Sequence, residues 1–175
     1  MIEPISDTQM RQVEAATLSY IKVASALYEH QFAPIAVHFD LRGKCAGMYE
    51  RKGDVRRIRF NPWLFAKYYK DSLGNTVIHE VAHYLVDCLY GLRQVKPHGE
   101  EWKAIMVDFG ARPKATGDYD LTGIPMRQYA KFAYKCICRT HQLSSVRHKR
   151  IVQRGAQYRC QSCHTYIESD RAASG

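Results

Sequence analysis

No stretch of this 175-residue chain approaches the ~18 uninterrupted apolar residues that a membrane-spanning helix needs, so that class is excluded. The opening residues Met1-Ile2-Glu3-Pro4 lack a basic-then-apolar leader, so no secretory signal is expected and the expected address is cytoplasmic. Internal repeats and low-complexity tracts are also missing. With 46% hydrophobic and 25% charged residues, wholesale disorder and collagen-like or coiled-coil repeats are ruled out. Acidic residues are scarce in one region only. Residues 126–175 hold two Asp/Glu against ten Lys/Arg, whereas residues 1–125 hold 15 against 16, so the last fifty residues carry +8 of the net +9. A confined basic field suggests an anionic partner, most often nucleic acid, over a merely solvated face.

Length sets a prior of one domain at roughly 150 residues plus a small appendage. The charge break places the division at residues 1–125 and 126–175. Ser6-Asp7 opens a helical pattern in which Val13, Ala16, Tyr20, Val23 and Leu27 recur at helical spacing. Strand-like runs follow at 35–41, 44–50 and 55–60, with turns at Gly43 and Lys52-Gly53. Asn61-Pro62 starts a helix expected to reach Lys70. Asn75 or Thr76 is expected to cap a helix running to Gly91, and another helix is expected to begin near His98 and stop at Gly110. Residues 110–125 read as a connection, and 126–175 as short polar and aromatic segments with too little apolar content for a core of their own.

Residues 79–83 read His79-Glu80-Val81-Ala82-His83, an HExxH motif. Histidines four apart share a helix face and can grip one zinc ion, with the intervening glutamate beside them as general base. At about 100° per residue, His83, Asp87 and Glu80 all fall within roughly 100° of His79 on the helical wheel. Val77, Ile78, Val81, Tyr84, Leu85 and Cys88 occupy the arc from about 140° to about 260°. Four polar side chains in one sector of an apolar helix are costly unless a metal or hydrogen bonds satisfy them, which disfavours two plain core histidines. Cys88 lies opposite His79 and reads as core, and Cys45 reads the same way. A metzincin would need Gly at 86 and His at 89, where Val86 and Leu89 stand, so that subclass is excluded. The third ligand is sought among His98, Glu100, Glu101 and Asp108; His98, opening the next helix, is favoured, against a simple helix cap paired with Glu101.

The HExxH helix followed by His98-Gly99-Glu100-Glu101-Trp102 resembles the bacterial SprT proteins and the protease domain of the eukaryotic Spartan proteins. The resemblance continues through Tyr134-Lys135-Cys136-Ile137-Cys138-Arg139-Thr140-His141-Gln142-Leu143, Arg147-His148 and Arg154-Gly155 to Tyr158-Arg159-Cys160-Gln161-Ser162-Cys163, nearly the whole chain. It implies an α+β fold: a compact zincin-type metalloprotease domain with a small three-stranded sheet, then a zinc-ribbon-like module. It implies His79, His83 and His98 as ligands of a catalytic Zn²⁺ and Glu80 as the catalytic base. It further implies a metalloendopeptidase directed to DNA-bound or DNA-crosslinked proteins, associated with the nucleoid if bacterial, with no membrane partner.

Two close cysteine pairs without an export signal read as metal ligands rather than disulfides. Cys160 and Cys163 have the usual spacing, whereas Cys136 and Cys138 are separated by one residue, which leaves His141 as an alternative to one of them. A second, structural Zn²⁺ is expected there. Between the pairs lie Arg147, Lys149, Arg150 and Arg154, a cluster suited to DNA phosphates without sequence preference. The rival functions are a non-catalytic zinc-containing nucleic-acid-binding module, which predicts a closed four-ligand first site, and a regulatory adaptor that recruits partners through the ribbon-like module.

Overall fold

The computed structural model describes residues 2–126 and 129–169. They fall into two compact units, one ending at Met126 and one lying beyond it. No described helix is long and apolar enough to cross a membrane.

In the first unit, α1 (Asp7–Leu27) opens with a capping box: the Ser6 hydroxyl accepts from the Gln9 N–H while the Gln9 side chain accepts from the Ser6 N–H. Its buried stripe is Val13, Thr17, Ile21 and Ala24. This corrects the expected stripe, for Val23 and Leu27 are each 51% exposed. Thr17 takes the core position because its hydroxyl donates to the Val13 carbonyl at 2.8 Å, so no polar atom is stranded.

Three strands follow: β1 (Ala36–His38), β2 (Gly47–Lys52) and β3 (Val55–Phe60). The sheet order is β1-β3-β2, with β3 parallel to β1 and antiparallel to β2. A two-residue turn at Gly53-Asp54 joins β2 to β3, Gly53 taking the left-handed φ of 61° such turns demand. Ile58 and Phe60 point into the core, while Arg57 and Arg59 face away and pair with Glu50 and Asp40. β2 is left as a sheet edge.

Buried Asn61 fixes the next turn. Its Oδ1 accepts from the N–H groups of Trp63 and Leu64, and its Nδ2 donates to the carbonyls of Gly43 and Cys45. The helix it caps, α2 (Pro62–Lys67), stops three residues short of the expected Lys70. A single turn, α3 (Tyr69–Asp71), passes into a π-helical turn (Ser72–Thr76) that runs straight into α4 (Val77–Leu89). The expected cap at Asn75 or Thr76 is therefore overturned. Thr76 is helical and makes no capping bond, because the preceding turn already supplies carbonyls to the first N–H groups of α4. Helix α5 (Glu100–Asp108) begins after Gly99, close to the expected start near His98. Helices α1, α4 and α5 and the sheet bury one core that includes Ile21, Ile58, Val81, Leu85 and Trp102.

The second unit is more ordered than its composition suggested. Strands β4 (Lys131–Lys135), β5 (Thr140–Ser144) and β6 (Glu168–Ser169) form an antiparallel sheet in the order β5-β4-β6. Helix α6 (Ser145–Arg154), not foreseen from the sequence, follows β5 directly. Ser144 caps it, and Gly155 at φ 61° ends it with bonds back to Arg150 and Ile151. Few side chains here are fully buried, Tyr134, Leu143 and Cys160 among them.

Candidate functional site

Helix α4 is apolar nearly all round, so it sits deep, yet Glu80 and Asp87 are each only 4% exposed. His79 and His83 lie one turn apart on its half-buried side. His98 reaches them from the segment before α5, with its backbone at φ 56°. That left-handed conformation is strained for histidine and is the kind of distortion that persists where surroundings enforce it. The three Nε2 atoms form a triangle of 3.2, 3.1 and 3.0 Å sides. Three ring nitrogens cannot all satisfy one another by hydrogen bonding, since each neutral imidazole carries a single proton. Four tetrahedral ligands at ~2.0–2.1 Å from zinc stand ~3.3 Å apart, so the spacing of the three nitrogens would suit three ligands of one metal ion.

Trp102 is a functional-site residue that the sequence reading did not single out. It is buried beneath the three imidazoles, with ring centroids 4.7 Å from His79, 5.7 Å from His83 and 4.7 Å from His98. Its indole N–H donates to the His79 carbonyl at 3.3 Å. Its place four residues after His98, on the first turn of α5, is the signal that was available. The other candidate ligands lie outside the cluster. Glu100 pairs with Lys103, and Asp108 accepts from the Tyr28 hydroxyl at 2.6 Å. Burial pushes His79 down to about 3 and His83 down to about 4, with neighbouring histidines adding to the effect, and burial also lowers His98. All three are thus neutral and ready for a metal near neutral pH.

Glu80 points toward the edge of β2. Its Oε2 accepts the Tyr49 N–H at 2.7 Å, while Oε1 accepts no hydrogen bond among the described residues. Burial raises its carboxyl to about 8, against the lowering effect of that N–H. On one side of His79 and Glu80 lies a cavity of about 760 Å³ walled by Tyr68, Thr76, Met106 and Tyr119. The same two residues also line one of about 430 Å³ walled by Met48, Val86, Leu92 and Pro97. Asp87 shares the polar sector but not the histidine cluster; it accepts from Tyr49, Arg51 and Arg56 instead. Cys88 packs against the core, and Cys45 is half-buried with its thiol on the Gly47 carbonyl.

In the second unit the thiols of Cys136, Cys138, Cys160 and Cys163 all lie within 4.8 Å of one another, close enough to share one ion. Cys136 and Cys138 are 3.4 Å apart, Cys138 and Cys160 3.7 Å, against the ~3.8 Å that ~2.3 Å Zn–S bonds give in a tetrahedron. His141 is not part of that foursome, its Nε2 meeting the Cys136 sulfur at 3.2 Å. The N–H groups of Cys163 and Ser162 hold the Cys160 thiol down to about 5, favouring the thiolate a metal needs. Arg147, Lys149, Arg150 and Arg154 all fall on α6 and make none of the ion pairs among the described residues. The inner side of α6 is fixed by His148, which stacks on Phe132 at 3.7 Å and meets the Tyr134 hydroxyl at 3.0 Å.

Residues 17–123 match the SprT-like family. The chain is 34% identical to Protein SprT of Vibrio parahaemolyticus over 145 residues, 82% of this chain and 84% of that one. It is 34% identical to Protein SprT of Pasteurella multocida over 87% of this chain and 89% of that one. Protein SprT of Pseudomonas paraeruginosa is 35% identical over 80% of this chain and 83% of its own length. With a match of this extent on both counts, the chain belongs to the SprT-like family.

Proposed function

We propose that the chain is a zinc metalloendopeptidase, with a zincin-type domain at residues 1–125 and a basic zinc-ribbon-like module at 126–175. We further propose that the module binds DNA without sequence preference, making proteins bound or crosslinked to DNA the substrates, in the cytoplasm. The observation that carries this reading is the triangle of His79, His83 and His98 beside a buried Glu80, with His79 and Glu80 lining two cavities. Among the described residues no fourth protein donor joins the three histidines, as a non-catalytic nucleic-acid-binding module with a purely structural metal would require.

A zinc ion held by these histidines supplies Lewis acidity, polarising the scissile carbonyl and making a water molecule more acidic. Glu80 does the proton work. With Oε2 anchored on the Tyr49 N–H, Oε1 is left to take a proton from the attacking water and to pass it to the departing amine. Trp102 keeps the imidazoles from rotating out of the triangle. In the module, the four thiols hold a second zinc that compensates for the thin core, and α6 presents its cations to phosphates. Cleavage of a DNA-bound protein, with and without DNA, by wild type and Glu80→Gln tests the reading. Hydrolysis that is lost in Glu80→Gln and stimulated by DNA is the expected result; equal rates for the two proteins overturn it.

A further inference from the structure

Asp87 is the one member of the polar sector of α4 for which the peptidase reading has no use. It stands seven residues after Glu80, about 10 Å further along the helix axis at ~1.5 Å per residue. Tyr49 spans that interval. Its main-chain N–H donates to Glu80 Oε2 at 2.7 Å and its hydroxyl to Asp87 Oδ2 at 2.6 Å. Arg51, two residues along the same face of β2, donates to Asp87 Oδ1 at 2.8 Å. Arg56, opposite Arg51 in the register of β3, donates to Oδ2 at 2.8 Å. The Asp87 side chain has no exposed surface, while both arginines keep about a third of theirs.

We propose that Tyr49 and Asp87 are positioning residues for Glu80: the Asp87 carboxylate pins the edge strand against α4, and the pinned strand presents the Tyr49 N–H that fixes the glutamate. This deepens the peptidase reading and rests on it. The hairpin does not need the pin to fold, since β2 is already paired along its length with β3, whose Ile58 and Phe60 are fully buried. A buried carboxylate with two cations is also a poor way to gain stability, because desolvation offsets most of its attraction and apolar replacements of such groups are often neutral. What the arrangement does supply is one defined distance between a strand edge and a helix. Residue 49 is where that distance matters, because its N–H points away from β3 and toward Glu80.

The test uses the full-length, zinc-loaded protein and two readouts. Amide exchange followed by NMR reports the Tyr49 N–H, with the Leu85 amide of α4 as reference. Hydrolysis of a DNA-bound protein reports kcat and KM. In Tyr49→Phe and Asp87→Leu the residue 49 amide is expected to exchange at least tenfold faster while Leu85 is unchanged. kcat is expected to fall about tenfold or more at near-constant KM and zinc content. The double variant is expected to match either single one, and Asp87→Asn, which keeps an oxygen for the Tyr49 hydroxyl, to recover most of the rate. Unchanged exchange at residue 49 in both variants overturns the proposal. Faster exchange with wild-type kcat overturns it equally. If the wild type shows no Glu80-dependent hydrolysis, the peptidase reading fails on its own; the amide measurement then decides separately whether Asp87 and Tyr49 hold the glutamate.

Discussion

Gly47 gives the Glu80 carboxylate the space it occupies. A β-carbon built at Gly47 would lie 2.6 Å from Oε1, 2.7 Å from Cγ and 2.9 Å from Cδ of Glu80, well inside contact distance. The glycine is demanded by this close approach and not by its backbone angle, because its φ is not positive. Gly47→Ala is therefore expected to displace Glu80 without touching a metal ligand. Misplacing a general base removes an effect of about a hundredfold or more. The expected outcome is a kcat reduced to that extent with zinc content unchanged, measured by steady-state hydrolysis and elemental analysis on one preparation. Wild-type kcat in Gly47→Ala would show that the carboxylate has room elsewhere.

The histidines and Glu80 pull stability in opposite directions with pH. In the metal-free protein His79 and His83 are held at about 3 and about 4, below the ordinary 6.5. Between those values and 6.5 the unfolded chain binds protons that the fold does not, so stability falls as pH drops through that window. Glu80 is pushed up from 4.5 to about 8, so the fold binds the extra proton there, and its contribution is lost as pH rises from 4.5 to about 8. Glu80→Gln removes only the second effect. Urea midpoints of metal-free protein are expected to show the variant gaining on the wild type steadily as pH rises from 4.5 to about 8, while below 4.5 both lose stability alike. A difference that stays flat with pH would contradict the burial of Glu80.

The helix bearing the chemistry was legible because its periodicity and its HExxH spacing state one face and one purpose. His98 was favoured on its place at the next helix start, yet its φ of 56° and the indole of Trp102 beneath it were not. Those features arise from a long-range approach of α5 to α4, which no local pattern encodes. Asp87 shows the limit from the other side. Its angular position put it with the histidines, but its partners Tyr49, Arg51 and Arg56 come from a hairpin some thirty residues earlier. Helix α6 was missed although Ser144 and Gly155 are sound start and stop signals, because Val146, Ile151 and Val152 are too few apolar residues to mark a buried face, and the helix buries none of its residues fully.

Removing one cysteine thiol is expected to unfold the second unit and leave the first intact. Among the described residues Tyr134, Leu143 and Cys160 are too few buried side chains to hold a sheet and a helix together, so a metal shared by the four thiols would supply much of the folding energy. Cys160→Ser should lower zinc from about two to about one per chain, abolish the slow amide exchange of β4 and β5, and leave that of α4 unchanged. His141→Ala should keep the metal, since His141 lies outside the foursome of thiols, with its Nε2 on the Cys136 sulfur. Zinc loss on His141→Ala equal to that on Cys160→Ser would make the histidine a ligand.

The cations of α6 should carry the affinity for DNA. Ser144 and Gly155 fix the helix ends, and His148 stacks on Phe132, so Arg147, Lys149, Arg150 and Arg154 are all exposed on the sides of the helix turned away from that stack. Arg147 also lies over the Tyr158 ring at 5.6 Å, which places an aromatic face beside the charges for unpaired bases. Phosphate neutralisation gives a log-affinity slope against log salt of roughly −0.7 per contact for single strands and roughly −0.9 for duplex. Replacing all four residues with alanine is expected to flatten the slope by up to about three units and to weaken binding alike for unrelated sequences. The zinc at His79, His83 and His98 should stay, since none of the four residues belongs to that cluster. Hydrolysis in the absence of DNA should also stay, with the loss confined to the DNA-stimulated part. Titration of wild type and the four-alanine variant against labelled single- and double-stranded DNA over a range of salt reads this directly. Equal affinities and equal slopes for the two proteins would reduce α6 to a solvated surface and move the search for the DNA contact elsewhere in the chain.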